Sequence, residues 1–236
     1  MDSFNTAPID EVVRRSNLRH IAFIMDGNGR WATGRGLQRE AGHRAGAEVF
    51  KKIVRYCKKI GIPCCTVYAF STENIKRPKH EVEVIMSLLI KNIAEAADES
   101  DIEFKFIGEP AALGENIGRK SAALEAETAG RPYRLNIAVN YGGRAEIVHA
   151  VNRAIEMGKS ILTEDDISAE LYTHGCPEPD LIVRTGNEIR VSNFLIWQLA
   201  YSELYFSEKM WPDFTAEDVD AAIRNFAGRG RRWGNV

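Results

Sequence analysis

The residues best suited to chemistry begin where a short apolar run stops. Residues 21–25 are too few for a helix and suit a strand buried on both faces, and Asp26 ends the run abruptly. Gly27-Asn28-Gly29 follows, and its glycines allow a sharp turn whose backbone N–H groups favour a phosphate. Asp26 would repel that phosphate unless a cation lies between the two anions. The stretch therefore predicts a Mg²⁺-assisted phosphate or diphosphate site, against the simpler alternative of a tight Asp-Gly turn.

A group of cationic side chains could serve such a site. Arginine forks bind phosphate oxygens in a bidentate manner, and each contact contributes roughly 1.5–3 kcal/mol. Any one of these residues alone could equally be a solvated surface charge. Together they have the number and type of charges that one or two diphosphates need. The candidates are Arg30, Arg39, Arg77, Arg184 and Arg190, with His43 as a further one.

Alternating apolar and amphipathic segments must position these side chains. Strands are predicted at about 20–25, 64–70, 102–107, 134–140, 180–184 and 204–206. Helices are predicted at about 9–16, 40–60, 79–98, 111–129, from Arg144 to about 157, after Thr163, over 192–199 and at 215–227. The stretches 26–38 and 71–78 are predicted loops. This alternation is typical of an α/β fold with a central, mostly parallel six-stranded sheet flanked by helices.

Three polar clusters follow strand ends in this scheme, at residues 26–30, 71–77 and 184–192. Parallel strands end at the same edge of a sheet, and ligands of such folds gather there. The predicted convergence favours a functional role for Asp26 over a purely structural one. Glu203, at the start of the last predicted strand, could be a second carboxylate for the metal, although a surface glutamate is an equal alternative.

Length and composition limit the possible classes of protein. The chain has 236 residues and a formal net charge of −2, so we expect one domain over 1–236, with a flexible segment over 1–17 and a C-terminal tail over 228–236. The balanced charge argues against a nucleic-acid partner. No apolar stretch is long enough to cross a bilayer and residues 1–17 lack the apolar core of a signal peptide, so a cytoplasmic location is predicted.

The cysteines give no metal-binding pattern. Cys57, Cys64, Cys65 and Cys176 form no C-x-x-C pair and have no histidine at metal-ligand spacing, so zinc is not predicted. Free thiols in a reducing compartment are the expectation.

The predicted helix at 79–98 carries a wide apolar stripe. Its members at helical spacing are Val82, Ile85, Met86, Leu89 and Ile93, widened by Val84, Leu88 and Ile90. Core packing explains such a stripe, and so does an apolar tunnel. The residues alone leave both open.

Other phosphate and nucleophile motifs are weaker or absent. There is no G-x-x-x-x-G-K-[ST] of a P-loop and no G-x-S-x-G or Cys-His signature of a nucleophilic hydrolase. Residues 27–32 do fit G-x-G-x-x-A, the dinucleotide fingerprint, with Glu73 as its acidic partner. However, Asp26 and the bulky Arg30-Trp31 would crowd a pyrophosphate there, so a nicotinamide-dependent oxidoreductase is a weak alternative.

Several motifs, taken in order, carry a specific likeness. The chain resembles the cis-prenyltransferases, the undecaprenyl diphosphate synthase family, over nearly its whole length. The matching stretches are 25–32 (MDGNGRWA), 42–46 (GHRAG), 69–74 (AFSTEN), 140–144 (NYGGR), 179–185 (PDLIVRT), 188–194 (EIRVSNF) and 201–206 (YSELYF). Residues 232–234 resemble the family's R-x-G tail, which reaches across the dimer interface.

The resemblance implies a role for each candidate residue. Asp26 and Glu203 would share Mg²⁺, with Glu203 contributed across a homodimer, and Asn74 would assist proton removal. The allylic diphosphate would be held by Gly27, Asn28, Gly29, Arg30, Arg39 and His43, with Trp31 alongside. Isopentenyl diphosphate would be held by Arg184, Arg190, Val191 and Ser192. Ser71, Thr72, Glu73 and Arg77 would line the substrate.

The resemblance also implies an activity. The family condenses isopentenyl diphosphate units onto an allylic diphosphate to form Z double bonds. We expect farnesyl diphosphate as primer and undecaprenyl diphosphate, a cell-wall lipid carrier precursor, as a product delivered at the membrane surface. A shorter product and a non-catalytic partner subunit are alternatives. Ile75 stands where many members have Trp, which leaves primer placement and preference open. Gly186-Asn187 replaces the usual small-Gly pair before Glu188, and little effect on phosphate binding is expected.

Overall fold

The computed structural model describes residues 3–97 and 101–229, in which strands and helices alternate. The strands are β1 (His20–Ile24), β2 (Cys64–Ser71), β3 (Ile102–Gly108), β4 (Tyr133–Tyr141), β5 (Leu181–Arg184) and β6 (Glu203–Phe206). The helices are α1 (Ser3–Thr6), α2 (Ile9–Ser16), α3 (Asn28–Thr33), α4 (Arg39–Lys59), α5 (Lys79–Ala97), α6 (Glu115–Thr128), α7 (Gly143–Glu156), α8 (Glu164–Ala169) and α9 (Ala216–Ala227). Short 3₁₀ helices lie at Thr72–Lys76, Pro110–Leu113, Gln198–Tyr201 and Trp211–Asp213.

The six strands form one sheet in the order β3-β4-β2-β1-β5-β6, and every pairing is parallel. This confirms the predicted single-domain α/β fold, with a sheet that is wholly rather than mostly parallel. The helices explain why all pairings are parallel. Two adjacent parallel strands must be joined by a long crossover connection, and the helices between the strands supply such connections.

The central strand β1 is buried on both faces, as its continuous apolar sequence predicts. Ile21 and Phe23 join a core beneath α2, α4 and α9, whereas Ala22 and Ile24 join a second core on the opposite face. In the larger core Trp211 stacks on Phe214 with ring centroids 5.7 Å apart. The period-2 alternation of a strand thus distributes β1 between two cores.

The N-terminal segment contains a packed helix. Val12 and Val13 of α2 are buried in the core, with 0% and 4% exposure. The short helix predicted at about 9–16 is thus confirmed as α2, whereas flexibility over 1–17 stays a prediction. The physical reason for this packing is that the polar residues of α2 face solvent, so its two valines can close the core against α9.

Three local predictions were wrong. The supposed loop 26–38 contains helix α3, and the helix expected at 111–129 is interrupted at Gly114, after which α6 begins. Residues 192–199 do not form the expected helix before the 3₁₀ turn at Gln198. Positive φ angles at Ser192, Asn193 and Leu195 break it, and they allow this segment to cover the sheet instead.

The cysteines also differ from expectation. Cys64 at the start of β2 and Cys176 before β5 form a disulfide, with Cα atoms 7.1 Å apart, whereas Cys57 and Cys65 are free and buried. A separation of 112 residues hides this proximity in the sequence, because only the strand order brings β2 and the segment before β5 close to His20 of β1.

The R-x-G tail at 232–234 lies outside the described residues. Within 3–97 and 101–229, no helix has both the length and the apolar character that crossing a bilayer requires.

Candidate active site

The site lies where β2, β1 and β5 end side by side. Ile24 pairs with Tyr68 on one side and with Arg184 on the other. Asp26 and Ser71 therefore emerge at the same sheet edge as Arg184, as the α/β alternation predicted. Gly27 has φ of +106°, and a Cβ there would lie 2.6 Å from the sulfur of Met210, so the turn after Asp26 requires glycine.

Asp26 is held by two arginines and one backbone amide. Arg184 Nη2 donates to Asp26 Oδ2 at 2.9 Å, Arg30 Nη2 lies 3.3 Å from Oδ1, and Gly27 N donates to Oδ1 at 2.6 Å. Arg184 is 3% exposed, and its Nη1 also donates to Ser192 Oγ at 2.7 Å. The ends of β1 and β5 are thus joined by a charge-assisted network.

A second carboxylate lies between the exposed arginines. Arg30 Nη1 is 3.2 Å from Glu188 Oε1, and Arg190 pairs with the other oxygen of the same carboxylate. Arg30 therefore bridges Asp26 and Glu188. Because 43% of the Arg30 side chain is exposed, a diphosphate could replace Glu188 as the anion that these two guanidinium groups bind.

A third cluster forms around Glu81 in the first turn of α5. His43 Nε2 donates to Glu81 Oε1 at 3.1 Å, and the same oxygen lies 3.0 Å from Arg77 Nη1 and 3.5 Å from Arg39 Nη2. Although burial raises the pKa of Glu81, the hydrogen bond from His43 and the two guanidinium charges lower it overall. Burial lowers the pKa of His43, and the hydrogen bond to Glu81 offsets this only in part, so His43 is neutral at neutral pH.

Close helix packing places His43. A Cβ at Gly42 would lie 1.9 Å from the carbonyl oxygen of Asn28, and one at Gly46 would lie 2.1 Å from Asn28 Oδ1. Only glycine allows α4 to approach the Asn28 turn so closely. The G-x-x-x-G spacing of the 42–46 motif is therefore a packing requirement, and it places His43 at the pocket.

The segment after β2 is ordered by a capping box. Ser71 N donates to Asn74 Oδ1 at 3.1 Å, and the Ser71 side chain accepts from the Asn74 backbone in return. Burial raises the pKa of Glu73, but hydrogen bonds from Ser71, Thr72 and Asn193 lower it overall, so Glu73 is a carboxylate at neutral pH. The hydrogen bond from the Ser71 backbone fixes the orientation of the Asn74 amide.

These groups surround an open polar pocket of about 550 Å³. Ten of the predicted site residues line it: Asp26, Asn28, His43, Ser71, Glu73, Asn74, Arg77, Arg184, Arg190 and Ser192. Arg30 contacts the lining residue Asp26. Arg39 contacts Glu81, which in turn pairs with the lining residues His43 and Arg77, and the Arg39 guanidinium lies over Gly29. An apolar chamber of about 90 Å³ adjoins the pocket and shares Met25, Tyr68 and Ile85 with it.

Besides Gly27, Gly29, Arg30 and Arg39, four more predicted residues are not among those lining the pocket. Trp31 donates from Nε1 to Asp213 at 2.7 Å and lies beneath Arg35. Thr72 contacts the Gly142 backbone, and Val191 packs against the second core. Glu203 begins β6 level with Leu181, roughly 10 Å along the strand from Arg184, and pairs with Arg229 at 2.6 Å.

The donor set at this edge fits Mg²⁺. Proteins hold this ion through one or two carboxylates together with substrate phosphates and water. Asp26 offers such a carboxylate, about one third exposed at the pocket. The structure does not bring Glu203 of the same chain to Asp26, so a second carboxylate would have to come from elsewhere.

The sequence reasoning missed two carboxylates. It gave no role to Glu81, and it gave Glu188 none beyond membership of a motif. Glu81 follows Arg77 by four residues at a helix start, an i,i+4 signal that could have indicated the pair. Glu188 pairs with Arg190 two residues later, and this spacing does not predict a side-chain contact.

Comparisons with known proteins agree with this geometry. A family profile described as "Putative undecaprenyl diphosphate synthase" matches residues 24–234. An isoprenyl transferase from Fusobacterium nucleatum is 48% identical over 222 residues, covering 92% of this chain and 96% of the relative.

Two solved structures share the fold. Lavandulyl diphosphate synthase from Lavandula x intermedia, in complex with dimethylallyl diphosphate, has a TM-score of 0.89 at 31% identity and covers 94% of this chain and 100% of its own. A "probable undecaprenyl diphosphate synthase" from Campylobacter jejuni has a TM-score of 0.77 at 33% identity, covering 92% and 99%. With an arginine-lined pocket at the strand ends and matches across nearly its whole length, the chain belongs to the cis-prenyltransferases of the undecaprenyl diphosphate synthase family.

Proposed function

We propose that this prenyltransferase condenses isopentenyl diphosphate onto an allylic diphosphate in a Mg²⁺-dependent reaction. The primer is farnesyl diphosphate, and the product is undecaprenyl diphosphate, a precursor of cell-wall lipid carriers. Supporting this proposal, a pocket with several cationic groups adjoins an apolar chamber. That pairing suits a substrate with an anionic head and a hydrocarbon tail.

The two diphosphates would bind on opposite sides of Asp26. The allylic diphosphate is assigned to Gly27, Asn28, Gly29, Arg30, Arg39 and His43, with Trp31 near its outer edge. Isopentenyl diphosphate is assigned to Arg184, Arg190, Ser192 and the backbone of Val191. In support, the Arg184 guanidinium contacts both Asp26 and Ser192, so it lies between the two proposed subsites.

The chemistry requires an allylic C–O bond to break, a C–C bond to form and a proton to leave the isopentenyl unit. Arginine forks stabilise the charge that develops on the departing diphosphate. When bound at Asp26, Mg²⁺ would neutralise part of that charge. Tyr68 and Met25, at the boundary of pocket and chamber, would shield the allylic cation from water. Asn74, with its amide held by Ser71, would assist proton removal, and Ser71, Thr72, Glu73 and Arg77 would line the substrate.

The active unit would be a homodimer. Glu203 lies far along β6 from Asp26 of its own chain, which supports a metal site completed by Glu203 of a second copy. The protein would work in the cytoplasm and release its lipid at the membrane surface. No nucleic acid is expected as a partner.

The observation that carries the proposal is that the arginine-lined pocket adjoins the apolar chamber and shares lining residues with it. Purified protein with Mg²⁺, farnesyl diphosphate and radiolabelled isopentenyl diphosphate should yield a butanol-extractable product. Thin-layer analysis after dephosphorylation gives its length, and a short or medium chain would correct the expected product while preserving the activity. Absence of incorporation with every primer from dimethylallyl to geranylgeranyl diphosphate would overturn the proposal.

A further inference from the structure

A polar cluster lies at the amino ends of the central strands, at the edge of the sheet opposite the candidate active site. His20 of β1 pairs with Cys64 of β2, and Cys64 pairs with Arg134 of β4. Side chains two residues apart on a strand share a face, so Thr66 lies on the face of Cys64, and Asn136 on the face of Arg134. Hydrogen bonds from Thr66 Oγ1 to His20 and to Asn136 join the three strands on this face.

The second cysteine of the cluster comes from the segment before β5. Pro177 directly follows Cys176, and its carbonyl oxygen accepts a hydrogen bond from His20 Nδ1 at 2.6 Å. Asp180 Oδ2 accepts from the backbone N–H of His20 at 3.1 Å. These contacts dock the segment on the amino end of β1, and they place Cys176 beside Cys64, to which it is bonded.

Nitrogen donors face both sulfur atoms. Asn136 Nδ2 lies 3.6 Å from Cys64 Sγ and 3.6 Å from Cys176 Sγ. Arg134 Nε donates to Asn136 Oδ1 at 3.2 Å, which holds the amide in this orientation. His20 Nδ1 lies 3.8 Å from Cys176 Sγ. Since N–H donors stabilise a thiolate, and the thiolate is the reactive form of cysteine, the cluster favours reaction at these sulfurs once the disulfide is opened.

The two bonded sulfurs differ in their access to solvent. Cys64 is 2% exposed, whereas Cys176 is partly exposed and lines an open pocket of about 300 Å³. A small thiol or peroxide can therefore reach Cys176 and not Cys64. Cys57 and Cys65 are free and buried, so they are closed to such reagents as well.

We propose that Cys176 and Cys64 form a reversible thiol–disulfide site, in which Cys176 is the sulfur that reacts with peroxides and thiols from solvent. Hydrogen peroxide oxidises the Cys176 thiolate to a sulfenic acid, as the O–O bond breaks and hydroxide leaves. The Cys64 thiol then attacks the Cys176 sulfur, the S–O bond breaks, and water leaves with the Cys64 proton. In reverse, a dithiol attacks Cys176, releases Cys64 as a thiol, and closes into its own disulfide as Cys176 is released.

The cytoplasmic location proposed for this chain gives such a site a purpose. Disulfides of reducing compartments are transient, and many of them respond to redox conditions. The bond between Cys64 and Cys176 spans 112 residues. Because closing so long a loop constrains the unfolded chain, the oxidised protein should melt about 10 °C higher than the reduced protein. Peroxide would thereby stabilise the fold.

Two single substitutions test which sulfur reacts. Cys64→Ser leaves Cys176 as a thiol, Cys176→Ser leaves Cys64 as a thiol, and each variant is the matched control for the other. Each protein, with its fold checked by circular dichroism, is treated with hydrogen peroxide and a dimedone probe for sulfenic acid. Peptide mass spectrometry should find the probe on Cys176 of the first variant and on no cysteine of the second. No probe on Cys176, or equal labelling of Cys64, would overturn the assignment.

Reversibility is tested on the wild type. The folded protein is incubated in buffers with different ratios of reduced to oxidised dithiothreitol, quenched with acid, denatured, and alkylated with a maleimide. Two thiols should be trapped in the oxidised protein, Cys57 and Cys65, and all four cysteines in the reduced protein. Hydrogen peroxide should then restore the count of two, and thermal melting of both forms measures the shift.

A bond that stays closed in excess dithiothreitol, or thiols that peroxide leaves free, would overturn the proposal. Equal melting temperatures of the two forms would overturn the stabilising role of oxidation. None of these measurements uses turnover, so their failure is distinct from a failure of the proposed prenyl transfer.

Discussion

At the scale of single residues, Asp26 has the most constrained position in the site. Its carboxylate contacts Arg184, Arg30 and the Gly27 amide, and its carbonyl accepts hydrogen bonds from Trp211 N and Thr185 Oγ1. Removing this carboxylate altogether would leave the buried guanidinium of Arg184 without its anion, which is costly. Asparagine is therefore a sharper probe than alanine.

Asp26→Asn should lower kcat at least ~100-fold, because the charge that would hold a metal at the leaving group is lost. The amide oxygen can still accept from Arg184, so the fold should survive. Product formation is followed with labelled isopentenyl diphosphate, and circular dichroism with thermal melting checks the fold. Turnover near the wild-type rate in a folded variant would contradict the metal role of Asp26.

Substitutions of two arginines should each weaken the binding of a different substrate. Arg190 pairs with Glu188 on one side of the pocket, and Arg39 pairs with Glu81 on the other. Losing a charge-assisted phosphate contact costs about 1.5–3 kcal/mol, roughly 10- to 150-fold in binding.

Arg190→Ala should therefore raise KM mainly for isopentenyl diphosphate, and Arg39→Ala mainly for the allylic primer. Steady-state kinetics with each substrate varied in turn measure both values, and each variant serves as control for the other. A rise confined to the allylic KM in Arg190→Ala would contradict the subsite assignment.

At the scale of elements, the two ends of β1 have different roles: the carboxyl end leads into the candidate site, and the amino end is part of the buried core. Asp26 follows its carboxyl end, whereas His20 opens its amino end, fully buried between Pro177 and Thr66. Burial lowers the pKa of His20 to about 4, because desolvation disfavours the imidazolium, although the Pro177 carbonyl and Asp180 act the other way. Charging His20 therefore opposes folding.

Stability should depend on His20 at acidic pH. Its unfolded pKa is near 6.5 and its folded pKa about 4, so the unfolded chain binds the extra proton in this window. Unfolding free energy due to this group should thus fall by ~1.4 kcal/mol per pH unit as pH drops from about 6.5 to 4. Urea denaturation at several pH values measures the slope. His20→Gln should have a shallower slope, and equal slopes in both proteins would contradict this account.

At the scale of the whole molecule, one chain does not bring Asp26 and Glu203 together. Asp26 and Glu203 emerge at different levels of the sheet, because β6 begins where β5 begins and Asp26 lies beyond the end of β1. Glu203 pairs with Arg229 near the C-terminal end of the described chain. The proposed metal site, if it uses both carboxylates, would need Glu203 from a second copy.

Mixed dimers test this arrangement. If Asp26 of one subunit acts with Glu203 of the other, a dimer of one Asp26→Asn and one Glu203→Gln subunit keeps one intact site of two. Refolding the two inactive variants together should restore ~25% of wild-type activity, because about half of the dimers are mixed. Each variant refolded alone is the control. No restoration, in dimers verified by light scattering, would place both carboxylates in one chain or remove Glu203 from the site.

The sequence alone determined the features that depend on local pattern. The apolar run before Asp26, the alternation of segments and the breaking residues were sufficient for six strands in an α/β fold, and the ordered motifs for the family. Motifs also indicated Arg184 and Arg190. Such features are readable because strand burial, helix periodicity and turn chemistry act within a few residues.

Only the tertiary structure decided which distant groups meet. The strand order puts Arg184 beside Asp26 across 158 residues, makes Glu81 and Glu188 the counter-ions of the arginines, and joins Cys64 to Cys176. Packing also overruled the expected helix at 192–199 and turned Trp31 toward Asp213. The physical reason is that ion pairing and desolvation depend on which surfaces are brought together in the folded chain. Local spacing does not carry that information.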